Sequence, residues 1–331
     1  MTRLVELGWR GLLRGVTLAH IPRLGAKTLG VLAVIGLVVA FSMSSTLAKK
    51  AESPGVLIAF WRMIVVSIVW TLLLAATGRR VRMADVRQLF IPGIFFGLNL
   101  AVFFTGVTHN SVANAALIGS LAPFLIVPLG AWLFRERFRS RALVFAAIAF
   151  CGVGIVLFNA PPIGDASLEG NLLGLLAMFL LVGYVVSTRH FRRDVDVTTF
   201  MATICPIAAV AVLPVALAHG DVTGLSNTGW KYMLILTLTS GVVAQGLLVY
   251  AQRTIQIGTI GIAQEMQPAL AVVWSVLILG ETVNGWQVVG IATVVAGLVG
   301  FVVMHQRSGR ARADPAPPEP AIEPRSARVA A

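Results

Sequence analysis

Long apolar runs separated by short polar clusters organise this chain from residue 28 to about residue 306. A helix that crosses the hydrocarbon of a bilayer needs roughly 20 predominantly apolar residues, because each adds ~1.5 Å across ~30 Å. The runs at residues 28–48, 142–164, 170–188, 197–220, 232–252 and 282–306 meet that length without any Lys, Arg, Asp or Glu. The run at 88–134 is too long for one span and is divided by the polar turn Thr108-His109-Asn110-Ser111. Two further spans each enclose one charge, residues 56–77 with Arg62 and residues 258–279 with Glu265. The pattern predicts an all-α integral membrane protein of ten transmembrane helices.

Basic residues favour the cytoplasmic side of short loops. The loops after predicted helices 2, 4, 6 and 8 hold 12 arginines, whereas the intervening loops hold only Lys49, Lys50 and Lys231. The alternation fits ten spans with both termini in the cytoplasm, in a multi-pass plasma-membrane protein. Trp230 and Trp286 are expected at outer ends and Trp132 near an inner one, as interfacial aromatics.

Composition sharpens this picture. Of 331 residues, 57% are hydrophobic and 12% charged, and the mean hydropathy of +0.86 does not suit a water-facing surface. A net charge of +12 could point to nucleic acid, but the basic residues bracket apolar spans and form no continuous face. Cys151 and Cys205 lie inside apolar runs with no CxxC partner, so neither a metal nor a disulfide framework is indicated, and no cofactor is implied. Residues 1–27 read as a cytoplasmic leader, basic and able to lie on the inner leaflet, rather than a cleaved signal. Residues 307–331, rich in Pro, Ala, Arg and Glu, read as a disordered cytoplasmic tail.

An internal repeat underlies the spans. At an offset of 145, Pro123 falls on Pro268, Glu136 on Glu281 and Gly152 on Gly297; at 144, Gly30 falls on Gly174. The copies run from 28 to 160 and from 169 to 305. Five helices is an odd number, so the second copy enters the membrane inverted, as in many transporters.

The chain here resembles the drug/metabolite transporter superfamily, in its EamA-type ten-helix branch. The residues carrying the resemblance are Phe60-Trp61-Arg62 in helix 2 and Ser111-Val112-Ala113-Asn114-Ala115-Ala116 opening helix 4. With them go Pro123 and Pro268, Arg135-Glu136 and Gly280-Glu281, and the glycines of helices 5 and 10. The resemblance implies a secondary carrier, often an exporter of amino acids and other small metabolites. It further implies a central cavity lined mainly by helices 1, 3, 4, 6, 8 and 9, with helices 5 and 10 peripheral.

Glu265 is the leading candidate for coupling. A carboxylate within a span costs about 2.5–3.5 kcal/mol on insertion scales, so it should face an aqueous cavity or a partner, where it can bind and release protons. Its repeat counterpart is Ser120. Arg62 is expected to be structural, snorkelling to the outer interface, about 10 Å in depth from Glu265. Gln264, Gln267, Ser120, Asn99, Asn114, Tyr184, Gln245 and Tyr250 are the further polar candidates for substrate or coupling contacts. Pro123 and Pro268 should kink helices 4 and 9 beside the cavity and are candidate gating joints. Gly93 and Gly97 form a GxxxG expected to be a packing face, and Glu136 and Glu281 are expected to cap helix ends. No HExxH, GxSxG or Walker loop is present, so the expectation is a transporter and not an enzyme. Its partners would be a small-molecule substrate, the lipid bilayer and protons, with no nucleic acid. The function read from these features is export of a small metabolite by alternating access; the alternative is a lipid-linked flippase or an importer of the same architecture.

Overall fold

A computed structural model describes residues 26–133, 142–158, 167–191, 195–251, 255, 260, 263–264 and 266–310. The regular structure among the described residues is all helical, with no strand. The helices are α1 (Ala26–Lys50), α2 (Gly55–Ala76), α3 (Met83–Thr108), α4 (Val112–Gly119), α5 (Ala122–Leu133), α6 (Ala142–Phe158) and α7 (Leu168–Phe191). They continue as α8 (Val197–Ala218), α9 (Asn227–Leu236), α10 (Ala244–Ala251), α11 (Gln267–Trp274) and α12 (Gly285–Arg310). π-helical stretches join α9 to α10 (Thr237–Val243) and extend α11 (Ser275–Leu279).

Among the described residues, six helices are long and apolar enough to cross a membrane: Thr28–Lys50, Gly55–Ala76, Met83–Thr108, Leu168–Phe191, Val197–Ala218 and Asn227–Ala251. Shorter apolar segments, Leu117–Ile126, Gln267–Leu279 and Gly285–Gly300, accompany them. Large apolar side chains such as Leu72, Phe179, Val210 and Leu277 point outward, which suits a lipid surround and would be unfavourable in water. Trp132 and Trp286 are exposed as expected of interfacial rings. Trp230 is half-buried, its ring 4.9 Å from that of Trp61.

Local chemistry sets the helix starts. Asp196 accepts from Thr199 N (3.3 Å) at the head of α8, and Ser226 Oγ from Gly229 N (2.9 Å) at the head of α9. Asn284 and Gln287 exchange backbone-to-side-chain bonds at the head of α12. Each satisfies N–H groups that a helix leaves without internal partners. Partial burial disfavours the charged form of Asp196, but hydrogen bonds from Thr199 and the Arg79 guanidinium outweigh it and hold the carboxyl below the usual range.

The two halves of the chain interleave. α3 packs along α7 and α8, and α1 packs along α10 and α11. The expected packing role of Gly93 and Gly97 is met at the α3–α8 contact, where a Cβ on Gly97 would fall 2.5 Å from the Ala208 carbonyl oxygen. α6 and α12 pack on each other. There, a Cβ on Gly152 would meet Val294 N and Gly290 O, and one on Gly297 would meet Ala149 N and Phe145 O, all at 2.7–2.8 Å. Adding 145 to Phe145, Ala149 and Gly152 yields Gly290, Val294 and Gly297, so this seam is its own image under the repeat offset.

Candidate functional site

A cavity of about 450 Å³ lies at the centre of the bundle, within the range of small-molecule sites. α1 contributes Phe41, Ser42, Ser44 and Ser45, and α3 contributes Phe96, Asn99, Leu100, Phe103 and Phe104. Gly119, Ser120 and Pro123 come from the α4–α5 break, and Gly174, Ala177 and Met178 from α7. Gln245 of α10, Gln264, and Gln267 and Pro268 of α11 complete the wall together with Arg62 of α2. Among the described residues, none of α6 or α12 lines it.

The two broken helices explain how backbone enters the wall. Pro123 is the second residue of α5 and Pro268 the second of α11. Proline has no N–H, so the usual bonds from 123 to the Gly119 carbonyl and from 268 to the Gln264 carbonyl cannot form. Gly119 and Gln264 both line the cavity, at positions that are counterparts under the offset of 145. The α4–α5 junction opens as a turn at Ser120 and Leu121, just ahead of Pro123.

Polar side chains on the wall are partly committed. Asn99 Nδ2 donates to the Ala177 carbonyl at 2.7 Å, tying α3 to α7. Ser120 Oγ donates to Leu117 O at 2.6 Å. Ser42 Oγ accepts from Trp274 Nε1 at 2.9 Å, joining α1 to α11.

Arg62 is 7% exposed and does not snorkel to an interface. Ile58, Arg62, Val66 and Trp70 lie four residues apart on the buried stripe of α2, so the side chain is directed into the bundle. Its Nη2 donates to Ser240 Oγ at 3.0 Å, its Cζ sits 5.3 Å from the Phe104 ring centre, and its Nε has no partner. The π-helical stretch shapes this niche. It presents Ser240 to Arg62 and the Gly241 carbonyl to Trp70 Nε1 (3.2 Å), while Gly241 leaves no room for a side chain against Val66. π-bulges of this kind recur at functional sites. Taking a cation out of water costs several kcal/mol. A neutral hydroxyl and a ring face return part of that cost and supply no opposite charge, and among the described residues Arg62 forms no ion pair.

The sequence-derived candidates divide clearly. Gln264, Gln267, Ser120, Asn99, Gln245, Pro123, Pro268 and Arg62 meet at the cavity. Asn114 does not; it is buried at the α3–α4 turn, where Asn114 Nδ2 donates to Asn110 Oδ1 at 3.3 Å. Tyr184 packs its ring 5.0 Å from Phe96 behind the wall, and Tyr250 is 39% exposed on the outer surface. Glu265 and Glu136 lie outside the described residues. The serines of α1 escaped the sequence reading, although the run Ser42-Met43-Ser44-Ser45-Thr46 inside an apolar span was a usable signal.

At one end of the bundle, Glu281 serves α4 instead of the helix that follows it. Its Oε1 accepts from Val112 N (3.3 Å) at the start of α4 and from Lys49 Nζ (2.9 Å) at the end of α1. Lys49 also donates to the Asn110 carbonyl at 3.0 Å.

Comparison with known proteins is consistent with this geometry. The sequence pattern of the EamA-like transporter family matches residues 28–158 and again 168–303. The threonine/homoserine exporter RhtA of Salmonella typhimurium is 26% identical over 244 residues, covering 72% of this chain and 79% of that protein. A riboflavin transporter of Brucella anthropi is 22% identical over 188 residues, 55% of this chain and 65% of that one. A solved crystal structure superimposes with a TM-score of 0.59 at 19% identity, over 87% of this chain and 98% of the other, and shows the shared fold.

Proposed function

The chain belongs to the EamA-like transporter family, and from that premise we propose that it exports a small metabolite, an amino acid or a related compound, across the cytoplasmic membrane. In this reading it is a ten-helix carrier of two inverted five-helix copies, with both termini cytoplasmic. The observation that carries the proposal is the central cavity, walled by helices of both halves and meeting backbone at two proline-broken helices related by the repeat offset. Transporters of inverted-repeat build hold substrate between the repeats near the midplane and expose it to either side as one part rocks against the other. The wall mixes aromatic rings with hydroxyls and amides, which suits a compound with an apolar body and a few polar groups. The likeness to the threonine/homoserine exporter supports an amino-acid-like substrate and the outward direction.

Protons are the proposed coupling ion, with Glu265 as their carrier. Its support lies in the sequence, an acid in the polar stretch Gln264-Glu265-Met266-Gln267 of an otherwise apolar run. Untargeted metabolomics of the medium from cells overproducing the protein, with Glu265→Gln as the paired control, tests both parts. Selective accumulation outside wild-type cells, lost in the mutant at equal membrane abundance, is the expected result. Identical media from wild type and empty vector would count against export, and equal accumulation with the mutant would remove Glu265 from the mechanism.

A further inference from the structure

Building on the exporter reading above, we infer that Arg62 anchors a carboxylate of the transported molecule, so that the cavity selects small metabolites bearing a single carboxylate. Four observations converge on this residue. It lines the cavity while remaining 7% exposed. Its hydrogen bonding is incomplete: Nη2 reaches Ser240, Nε has no partner, and no bond from Nη1 is made among the described residues. Phe104 lies 5.3 Å from the guanidinium carbon, a cation–π contact that leaves N–H groups uncommitted. No ion pair among the described residues neutralises it.

A guanidinium that served only to join helices would be expected to spend its donors on carbonyls or a carboxylate, since buried charges are ordinarily paired. Here the niche fixes the group from one side and leaves the rest of the planar fork unused. That fork matches a carboxylate with two parallel N–H···O bonds. Charge balance narrows the class further. One positive charge offsets one carboxylate, whereas a phosphate monoester brings about −1.5 to −2 and would leave excess negative charge in an apolar cavity. Ser42, Ser45, Gln245 and Gln267 on the same wall supply donors and acceptors for an amino or hydroxyl group elsewhere on the molecule.

The test uses purified protein in liposomes loaded with an equimolar mixture of the proteinogenic L-amino acids and their C-terminal amides. Efflux is followed by mass spectrometry against protein-free liposomes. Wild type should release acids in preference to amides. Arg62→Gln should lower the acid-to-amide ratio roughly tenfold or more, the loss of a charge-assisted bond. Arg62→Lys, which keeps the charge without the fork, and Ser240→Ala, which loosens the guanidinium, should lower it less. A purely structural arginine would slow both classes together and leave the ratio unchanged. Equal release of acids and amides by wild type overturns the anchor and leaves the exporter reading standing. If Arg62→Gln does not fold, an unchanged ratio in both Arg62→Lys and Ser240→Ala overturns the anchor instead. Release of neither class by folded wild type removes the amino-acid reading and the anchor together.

Discussion

Lys49 and Glu281 stand 232 positions apart in the chain, yet Lys49 Nζ lies 2.9 Å from Glu281 Oε1. Both side chains are largely withdrawn from water, at 15% and 12% exposure. The pair ties the end of α1 to the end of the α11 segment, and through Val112 N and the Asn110 carbonyl it holds the start of α4. Three elements that also wall the cavity therefore meet at one end of the bundle.

Breaking this pair from either side should be costly. Lys49→Met leaves Glu281 with the backbone donor of Val112, and Glu281→Gln takes the negative charge away from Lys49. We expect each single change to lower stability by about 1–3 kcal/mol, between the values for exposed and buried pairs. The double mutant should lose clearly less than the sum. Thermal unfolding of the four proteins in detergent measures the coupling, and simple additivity would show that the two charges do not stabilise each other.

The seam between α6 and α12 permits a sharper stability test. Any side chain at Gly152 or Gly297 drives a carbon to 2.7–2.8 Å from backbone atoms of the opposite helix, which cannot rotate away as a side-chain tip can. Gly152→Val and Gly297→Val should each destabilise by at least about 1–3 kcal/mol, the usual cost of overpacking. Because the contact is self-symmetric, the two losses should be similar. Gly246, with nothing within 4 Å of its would-be Cβ, is the control, and Gly246→Ala should leave the melting temperature nearly unchanged.

How far these features were legible in the sequence depends on whether they rest on length or on direction. The spans of α1, α2, α3, α7 and α8 follow from long apolar runs, broken in α2 only by Arg62, because the bilayer imposes a length that the chain must display. The direction a side chain faces is not displayed in the same way. Arg62 was expected to snorkel because its depth is readable and its azimuth is not; only the packing of α2 against α8 and α3 turns its stripe inward. The same gap explains Asn114, Tyr184 and Tyr250, polar residues in spans that do not line the cavity. The π-helical stretch at Thr237–Val243 had no readable signal, since its widened turn is matched to Arg62 and Trp70, residues about 170 positions earlier. The proline breaks were legible because proline removes a donor in any context.

Asp196 gives a pH-dependent prediction outside the membrane spans. Burial is the largest single influence and raises its folded-state pKa, but the hydrogen bonds from Thr199 and the Arg79 charge together depress it, so its stabilisation is present above the unfolded value of about 3.9 and is lost as pH falls through the folded value. Asp196→Ala should cost about 0.5–2 kcal/mol at neutral pH as a lost helix cap, toward the lower end because the carboxylate is 45% exposed. The gap between wild type and mutant should narrow as pH is taken below about 4. Melting curves at pH 7, 5 and 3.5 check this, and a gap that widens in acid would contradict the sign.

Pro123 and Pro268 separate a static bend from a moving joint. Alanine at 268 restores an N–H opposite the Gln264 carbonyl, and alanine at 123 does the same opposite Gly119, both at the cavity wall. A regained backbone bond is worth about 0.5–1.5 kcal/mol, so Pro123→Ala and Pro268→Ala should hold or raise the melting temperature. If the breaks are joints of alternating access, the same bond opposes opening, and efflux from liposomes should slow while stability rises. Should efflux stay at the wild-type rate while the melting temperature climbs, the prolines only shape the cavity, and the motion must be sought where α1 passes α10 and α11. Because Gly119 and Gln264 correspond under the repeat offset, the two substitutions should act on opposite halves of the cycle. Measuring Pro123→Ala and Pro268→Ala separately, with substrate loaded on either side of the membrane, therefore reports which broken helix governs which direction of opening.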